Sequence, residues 1–473
     1  MSGYNTGFGF GGGRGRGRGR GSGRGGGGGG GGPSPALLTA NIKNAKTLEE
    51  LLGHCTAHRS RLNHIHLSAA WNSIGHKSGS VSLDWWRAHD DALGSLASHT
   101  AKVVSDSSEV RAREMANIAH GVAKSGRGGD LTDLMDALAR AVEKRASDCN
   151  AQELANVSWA FAKADHCADV ALFDALAKAT VAKASACNSQ ELTNLAWAFA
   201  TAGRTDDEAL FSSLARAVEG KLASFTTQGL SNTAWAFAKV GHLDAALFQA
   251  VSGAARSRLK TFNAQDFANT AWAFAKLGQF DGELFTALAK DATRHGDGHN
   301  AQGLANTVWS FAKAGHLDES LFTGFASQIR RKLKDFNSQD LANTAWAFAK
   351  ACHPDESLFA SISGACVACL DDFNAQDLVN TAWAFAKLAH FDQSLFAAVA
   401  RRFRESGAMN DGQLSAQFIA NVAWAFSKAS EAGKLEQATA EELFADLATA
   451  AEASVGDFTA ADLANVAWAF ANA

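Results

Sequence analysis

A tryptophan, one small residue and a phenylalanine recur nine times along the chain, each time with an asparagine three residues before the tryptophan. The tryptophans are Trp159, Trp197, Trp235, Trp272, Trp309, Trp346, Trp383, Trp424 and Trp468, at gaps of 38, 38, 37, 37, 37, 37, 41 and 44 residues. A period in this range is the signature of a solenoid, whose units bury their apolar faces only against their neighbours. The expected fold is all-α: an α-solenoid of stacked helix-turn-helix repeats of about 37–38 residues.

Each unit carries its own helix-entry chemistry. In Phe262-Asn263-Ala264-Gln265-Asp266-Phe267, Asn263 is placed to cap and Asp266 to reach back, with Phe262 and Phe267 closing a hydrophobic staple. The same grammar returns at Asn337 with Asp340 and at Asn374 with Asp377. The first helix (A) runs to a Gly, Ala or Cys before a short turn, and an Asp three residues before Leu-Phe (Asp244, Asp281, Asp318, Asp355, Asp392) caps the second (B). With only three prolines (Pro33, Pro35, Pro354), little interrupts these helices.

Composition divides the chain into an arm and a body. Residues 1–36 are Gly/Arg-rich with five arginines (Arg14, Arg16, Arg18, Arg20, Arg24) and no acid, leaving 39 basic against 48 acidic residues, a net −9, for the rest. With nothing apolar to offset ordering entropy, the arm is expected to be disordered, either as an RGG-like contact to single-stranded RNA or as a solubilising linker. An organelle-targeting role is a third reading, though the stretch lacks an amphipathic helix. Residues 37–105 read as divergent N-terminal repeats forming a cap, with Ser68 where Asn stands later and, just beyond, His120 in the tryptophan slot. Residues 106–473 form the solenoid proper. The last repeat is expected to be incomplete, lacking its B helix and any following domain.

A helical wheel separates the surfaces of helix A. Leu192, Leu195, Ala196 and Phe199 make the core stripe, while Gln190 and Asn194 fall opposite, followed in most units by a Lys seven residues after the Asn. Stacked repeats turn this into a ladder of amide and ammonium groups edged by indoles. The candidate RNA-binding residues are therefore Asn156, Asn194, Asn232, Asn269, Asn306, Asn343, Asn380 and Asn421, with Lys163, Lys239, Lys276, Lys313, Lys350, Lys387 and Lys428, and the five arginines of the arm. Competing readings make Trp an inter-repeat knob, Asn a partner for backbone groups and Lys a solvated face. Because these residues barely vary from repeat to repeat, RNA contact through this face is expected to be weakly sequence-specific.

Other chemistry finds little support. No phosphate-cradling loop, nucleophile elbow or HExxH occurs. Seven irregularly spaced cysteines argue against a disulfide framework, and Cys366 and Cys369 form a lone CxxC better read as ordinary helix residues. His54, His58, His64, His66 and His76 match no zinc spacing and read as a polar cap surface. The histidines after helix A (His166, His242, His316, His353, His390) suit the negative dipole end. No run of 18 apolar residues offers a membrane span.

The phrase Asn-Thr-Ala-Trp-Ala-Phe-Ala-Lys, with Leu-Phe opening the next helix, resembles the organellar helical-repeat families. These are the heptatricopeptide and octotricopeptide repeats, the FAST-kinase-like leucine-rich proteins that often end in a RAP domain, and the repeat domain of the RNA-editing substrate-binding complex subunit six family. The resemblance covers about residues 106–473. It implies a non-catalytic RNA-binding α-solenoid acting in mitochondrial or plastid RNA processing, stability, editing or ribosome assembly. The implied partners are single-stranded RNA and an organellar ribonucleoprotein complex, with no membrane, cofactor or small-molecule substrate. The chain departs from those families in ending without a RAP domain, which suggests a truncated sequence, and in carrying a Gly/Arg-rich arm where a transit peptide is expected, which leaves cytoplasm or nucleus as the alternative location. The alternative function is an armadillo-like protein–protein scaffold whose Asn ladder grips an extended peptide.

Overall fold

In a computed structural model of the chain, the described residues are 33–292, 295, 298–405 and 415–473, and they form 24 α-helices and no strand. The arm arginines Arg14, Arg16, Arg18, Arg20 and Arg24 lie outside the described residues. The first helix, Pro35–Asn44, starts two residues inside the segment assigned to the arm, with Ser34 as its N-cap. None of the described helices is long and apolar enough to cross a membrane.

The helices pack in two layers, as expected for an α-solenoid. The A helices lie side by side, each against the A helices before and after it, as in Thr227–Val240, Ala264–Lys276 and Ala301–Lys313. The B helices, such as Ala245–Arg258 and Glu319–Lys332, stack on one another as the second layer. This stacking begins before the regular repeats, because His64–Lys77 packs against Ala112–Lys124. There the backbones approach so closely that a Cβ on Gly121 would sit 2.2 Å from the Trp71 carbonyl oxygen.

The weld between repeats is aromatic. The Phe of each B helix meets the Phe of the next Trp-x-Phe edge-to-face: Phe211–Phe237 at 5.3 Å, Phe285–Phe311 at 5.4 Å, Phe322–Phe348 at 5.2 Å and Phe396–Phe426 at 5.5 Å between centroids. Edge-to-face geometry puts the positive ring edge on the negative ring face, which adds about 0.5–1.5 kcal/mol to the burial of each pair.

The capping grammar forms as read. Asn263, Asn337 and Asn374 close capping boxes with Asp266, Asp340 and Asp377, and Asp244, Asp281, Asp318, Asp355 and Asp392 accept the backbone N–H groups that open the B helices. At its other end helix A closes through a left-handed residue, and the next N–H reaches back to the Trp-x-Phe carbonyl, as from His242 to Phe237 at 3.0 Å. The histidine at that point also packs on phenylalanine: His353 lies 5.7 Å from Phe348 and 6.0 Å from Phe322. The left-handed residue is Gly at 203, 241, 278 and 315, but Asp165, Cys352 and Ala389 hold the same conformation at φ 56°, 50° and 56°.

A side chain with a Cβ carries roughly 1–2 kcal/mol of strain there, partly offset by the backbone entropy a glycine loses. Ala389→Gly should therefore stabilise the protein by about 1 kcal/mol, read as a higher denaturant midpoint at an unchanged slope.

Candidate nucleic-acid interface

The polar stripe of helix A splits into three zones at different depths. The Gln at its start is exposed or half-buried, the Asn one turn on is sunk, and the Lys at its end is exposed. Asn194, Asn232 and Asn269 retain only 2%, 3% and 5% of their surface, while Asn156, Asn306, Asn343, Asn380 and Asn421 are half-buried. A wheel places Asn opposite the Leu/Phe stripe, but the neighbouring A helices close over that side. Single-helix reasoning has no knowledge of such a neighbour.

The buried amides bond across repeats. Asn269 Nδ2 donates to Asn232 Oδ1 at 3.1 Å, and in the first such step Asn117 Nδ2 donates to Ser68 Oγ at 3.2 Å. Within helix A, Gln376 Nε2 donates to Asn380 Oδ1 at 2.9 Å. The amides thus set register between helices as well as lining a surface.

Lys163, Lys239, Lys276, Lys313, Lys350 and Lys387 all end their A helices exposed, and none pairs with a carboxylate among the described residues. Lys428 is half-buried, 2.9 Å from Glu431 and 4.3 Å from the Trp468 ring. Lys239 lies 5.0 Å above the Trp235 ring, and desolvation by its neighbours lowers its pKa from the usual lysine range. Adjacent A helices stand about 8–10 Å apart, so the ammonium groups form a row at that order of spacing.

Beside this row run the tryptophans. Trp159, Trp197 and Trp235 are buried, and Trp272, Trp309, Trp346, Trp383 and Trp424 are half-buried. Consecutive indoles touch, as Trp235–Trp272 at 6.4 Å and Trp309–Trp346 at 6.3 Å, and His120 holds the equivalent slot 5.2 Å from Trp159. They are inter-repeat knobs with an exposed edge in the later repeats.

A second set of cations escaped the sequence reading. Lys183 Nζ lies 2.6 Å from the Ser147 carbonyl, Lys221 Nζ 2.7 Å from Ser185, and Arg258 Nη1 2.7 Å from Phe225. Arg145 and Lys332 do the same to Val110 and His299. Each ties the end of a B helix to the turn after the preceding B helix. The signal was present: a Lys or Arg stands four residues before Cys149, Cys187, Phe225, Phe262 and Phe336, each just ahead of a cap.

Histidines 54, 58, 64, 66 and 76 do not converge. His66 bonds the Asn63 N–H and the Pro35 carbonyl, and no group of three or more His, Cys, Asp or Glu is arranged to hold a metal among the described residues. All seven cysteines are free thiols.

An α-solenoid with an amide and ammonium stripe repeated at nearly every step is a helical-repeat protein whose long polar face is its most regular surface. Residues 103–432 match the family described as RNA-editing substrate-binding complex 6 protein, and the chain belongs to that family. No individually curated protein matches it. Among solved structures, one similar chain comes from a homology model of the full-length AP-3 complex in an intermediate open conformation. It is 11% identical over 92% of this chain and 86% of that one, with a TM-score of 0.27, too low to support a conclusion about function.

Two outcomes follow from the buried polar groups. Asn269→Leu should cost about 1–3 kcal/mol, because it leaves the buried Asn232 acceptor unpaired, measurable by chemical denaturation. Asp340, buried beside its cap, has its pKa raised to about 6 by desolvation and by the nearby Asp377 charge, against the pull of the Asn337 N–H. A raised folded-state pKa makes a contribution that is fully present below pH about 3.8 and is lost as pH rises through about 6. Asp340→Asn should therefore flatten the loss of stability between about pH 4 and 6, seen as a smaller change in thermal midpoint than in the parent.

Proposed function

We propose that the chain is a non-catalytic RNA-binding solenoid of an organellar RNA-editing or RNA-processing complex, with single-stranded RNA lying along the A-helix layer. The observation that carries this reading is the row of exposed lysines, one at nearly every step and free of carboxylate partners in a body whose net charge is negative. Charge segregated in this way attracts a polyanion locally even where bulk charge does not. Family membership supports the RNA-editing setting, in a mitochondrion or plastid, and the assembly into a ribonucleoprotein complex. In this reading Asn156, Asn306, Asn343, Asn380 and Asn421 present amide edges beside the strand. The more buried Asn232 and Asn269 hold the rail in register, and Arg14, Arg16, Arg18, Arg20 and Arg24 add charge from the arm. Residues 37–105 cap the stack.

Replacing Lys239, Lys276, Lys313, Lys350 and Lys387 together by Glu should leave the helical signal intact. It should reduce the salt slope of single-stranded RNA binding by roughly 3.5, at about 0.7 per phosphate contact. Fluorescence anisotropy of labelled RNA across a salt series, on protein lacking residues 1–36, reads this directly. An unchanged slope and affinity would remove the RNA rail from helix A.

A further inference from the structure

The third residue of helix A is where the repeats differ. It is an acid at Glu114, Glu153, Glu191, Asp266, Asp340, Asp377 and Asp462, where it completes a capping box. Two repeats carry glycine there instead, Gly229 and Gly303. Neither glycine has a positive φ, so the backbone does not require it, and glycine in a helix costs about 1 kcal/mol relative to alanine. What each glycine supplies is space.

A cavity of about 160 Å³ lies at Gly229, between the starts of helices Ser189–Thr201 and Thr227–Val240, and is lined by Gln190, Asn194 and Gln228. A cavity of about 150 Å³ lies at Gly303, between Ala264–Lys276 and Ala301–Lys313, lined by Gln265, Asn269, Gln302 and His299. The two occupy the same place in the repeat, two repeats apart. A Cβ on Gly229 would meet Thr193 Oγ1 across the gap at 3.2 Å, and one on Gly303 would meet His299 Nδ1 at 3.5 Å. Where the acid is present it occupies this position: Asp266 is buried and accepts from Ser231 Oγ of the preceding repeat at 3.1 Å.

Each cavity also holds a buried polar group with no hydrogen-bond partner. Asn194, 2% exposed, leaves Oδ1 unbonded, and His299, also 2% exposed, leaves both ring nitrogens unbonded. Burial holds the His299 imidazole neutral, with its pKa lowered to about 4. Unpaired buried polar atoms cost about 1–3 kcal/mol unless something satisfies them.

The linings name the ligand class. Both are uncharged, which disfavours a phosphate, and both offer amide donors and acceptors side by side, which pair with base edges. A volume near 150 Å³ admits a benzene-sized ring. The cavities lie on the Gln/Asn/Lys stripe itself, with Lys239 and Lys313 ending the same helices. The free acceptor at Asn194 calls for a donor: adenine, cytosine and guanine offer an exocyclic amine with two N–H groups, whereas uracil offers only its single ring N–H. We infer that the Gly229 and Gly303 cavities are nucleobase pockets that take an unstacked base bearing an exocyclic amine from the bound strand, in preference to uracil. This inference rests on the RNA-binding reading and adds two points of base discrimination to an otherwise sequence-tolerant rail.

The test is Gly229→Asp with Gly303→Asp, which installs the acid that other repeats carry and so completes the capping boxes while filling both cavities. Full-length parent and variant are titrated with labelled oligo(A), oligo(C) and oligo(U). The parent should prefer oligo(A) or oligo(C) over oligo(U) by on the order of ten-fold, and the variant should lose that preference while keeping its oligo(U) affinity and salt slope. Should the aspartates unfold the protein, the smaller Gly229→Ser with Gly303→Ser replaces them, with the same expectation. RNA binding without base preference in the parent, or a preference that survives in the variant, overturns the pockets and leaves the rail standing. Absence of all RNA binding overturns the rail. In that case free adenosine, followed by NMR shift perturbation, decides the pockets alone: saturable shifts abolished by the glycine substitutions uphold them, and their absence overturns them.

Discussion

Phenylalanine from one B helix meeting phenylalanine from the next A helix, ring edge to ring face, is the contact on which the rest of this molecule depends. It recurs from Phe173–Phe199 to Phe444–Phe470, wherever a Leu-Phe pair opens a B helix before the next Trp-x-Phe. Because the contact joins neighbouring units only, stability accumulates along one dimension, as a sum of repeat and nearest-neighbour terms. No unit is a domain by itself. The cations that tie B-helix ends to the preceding turns reinforce the same junctions, so the body's positive charge is divided between an inner structural set and an exposed row.

That geometry decides what the polar residues are able to do. Packing A helices side by side forces whatever lies at the middle of the stripe into the contact between helices, while its two ends remain open. Asn at the middle is sunk between helices, where Asn269 bonds Asn232 and Asn117 bonds Ser68 across the step. Lys at the end meets solvent, and Trp, one turn before it, becomes a knob with an exposed edge. A surface built this way is regular because its supporting contacts are regular. Departures from regularity, such as the two glycines in place of an acid, therefore stand out as local changes in shape.

The repeat period, the cap chemistry and the Phe-based core were all legible, because helix entry and exit are local. Asn263 with Asp266 needs only its own turn to form a box, and Asp281 needs only the N–H groups that follow it. Trp was readable as a knob for a related reason: an indole at every step is too large an apolar surface to leave in water. The depth of Asn194 was not readable. A wheel describes a single helix, and this residue is covered by a different one.

The sequence by itself determined that the chain is an all-α solenoid, since a 37–38-residue pattern of caps and apolar stripes has no other way to bury its faces. It also determined which residues share the polar stripe. Only the tertiary structure decided how that stripe is divided between interior and surface. The 2% exposure of Asn194, the exposed row of lysines and the cavities at Gly229 and Gly303 all arise from one helix approaching another. Their cause is distance between segments some 37 residues apart, and no local pattern encodes how close those segments come.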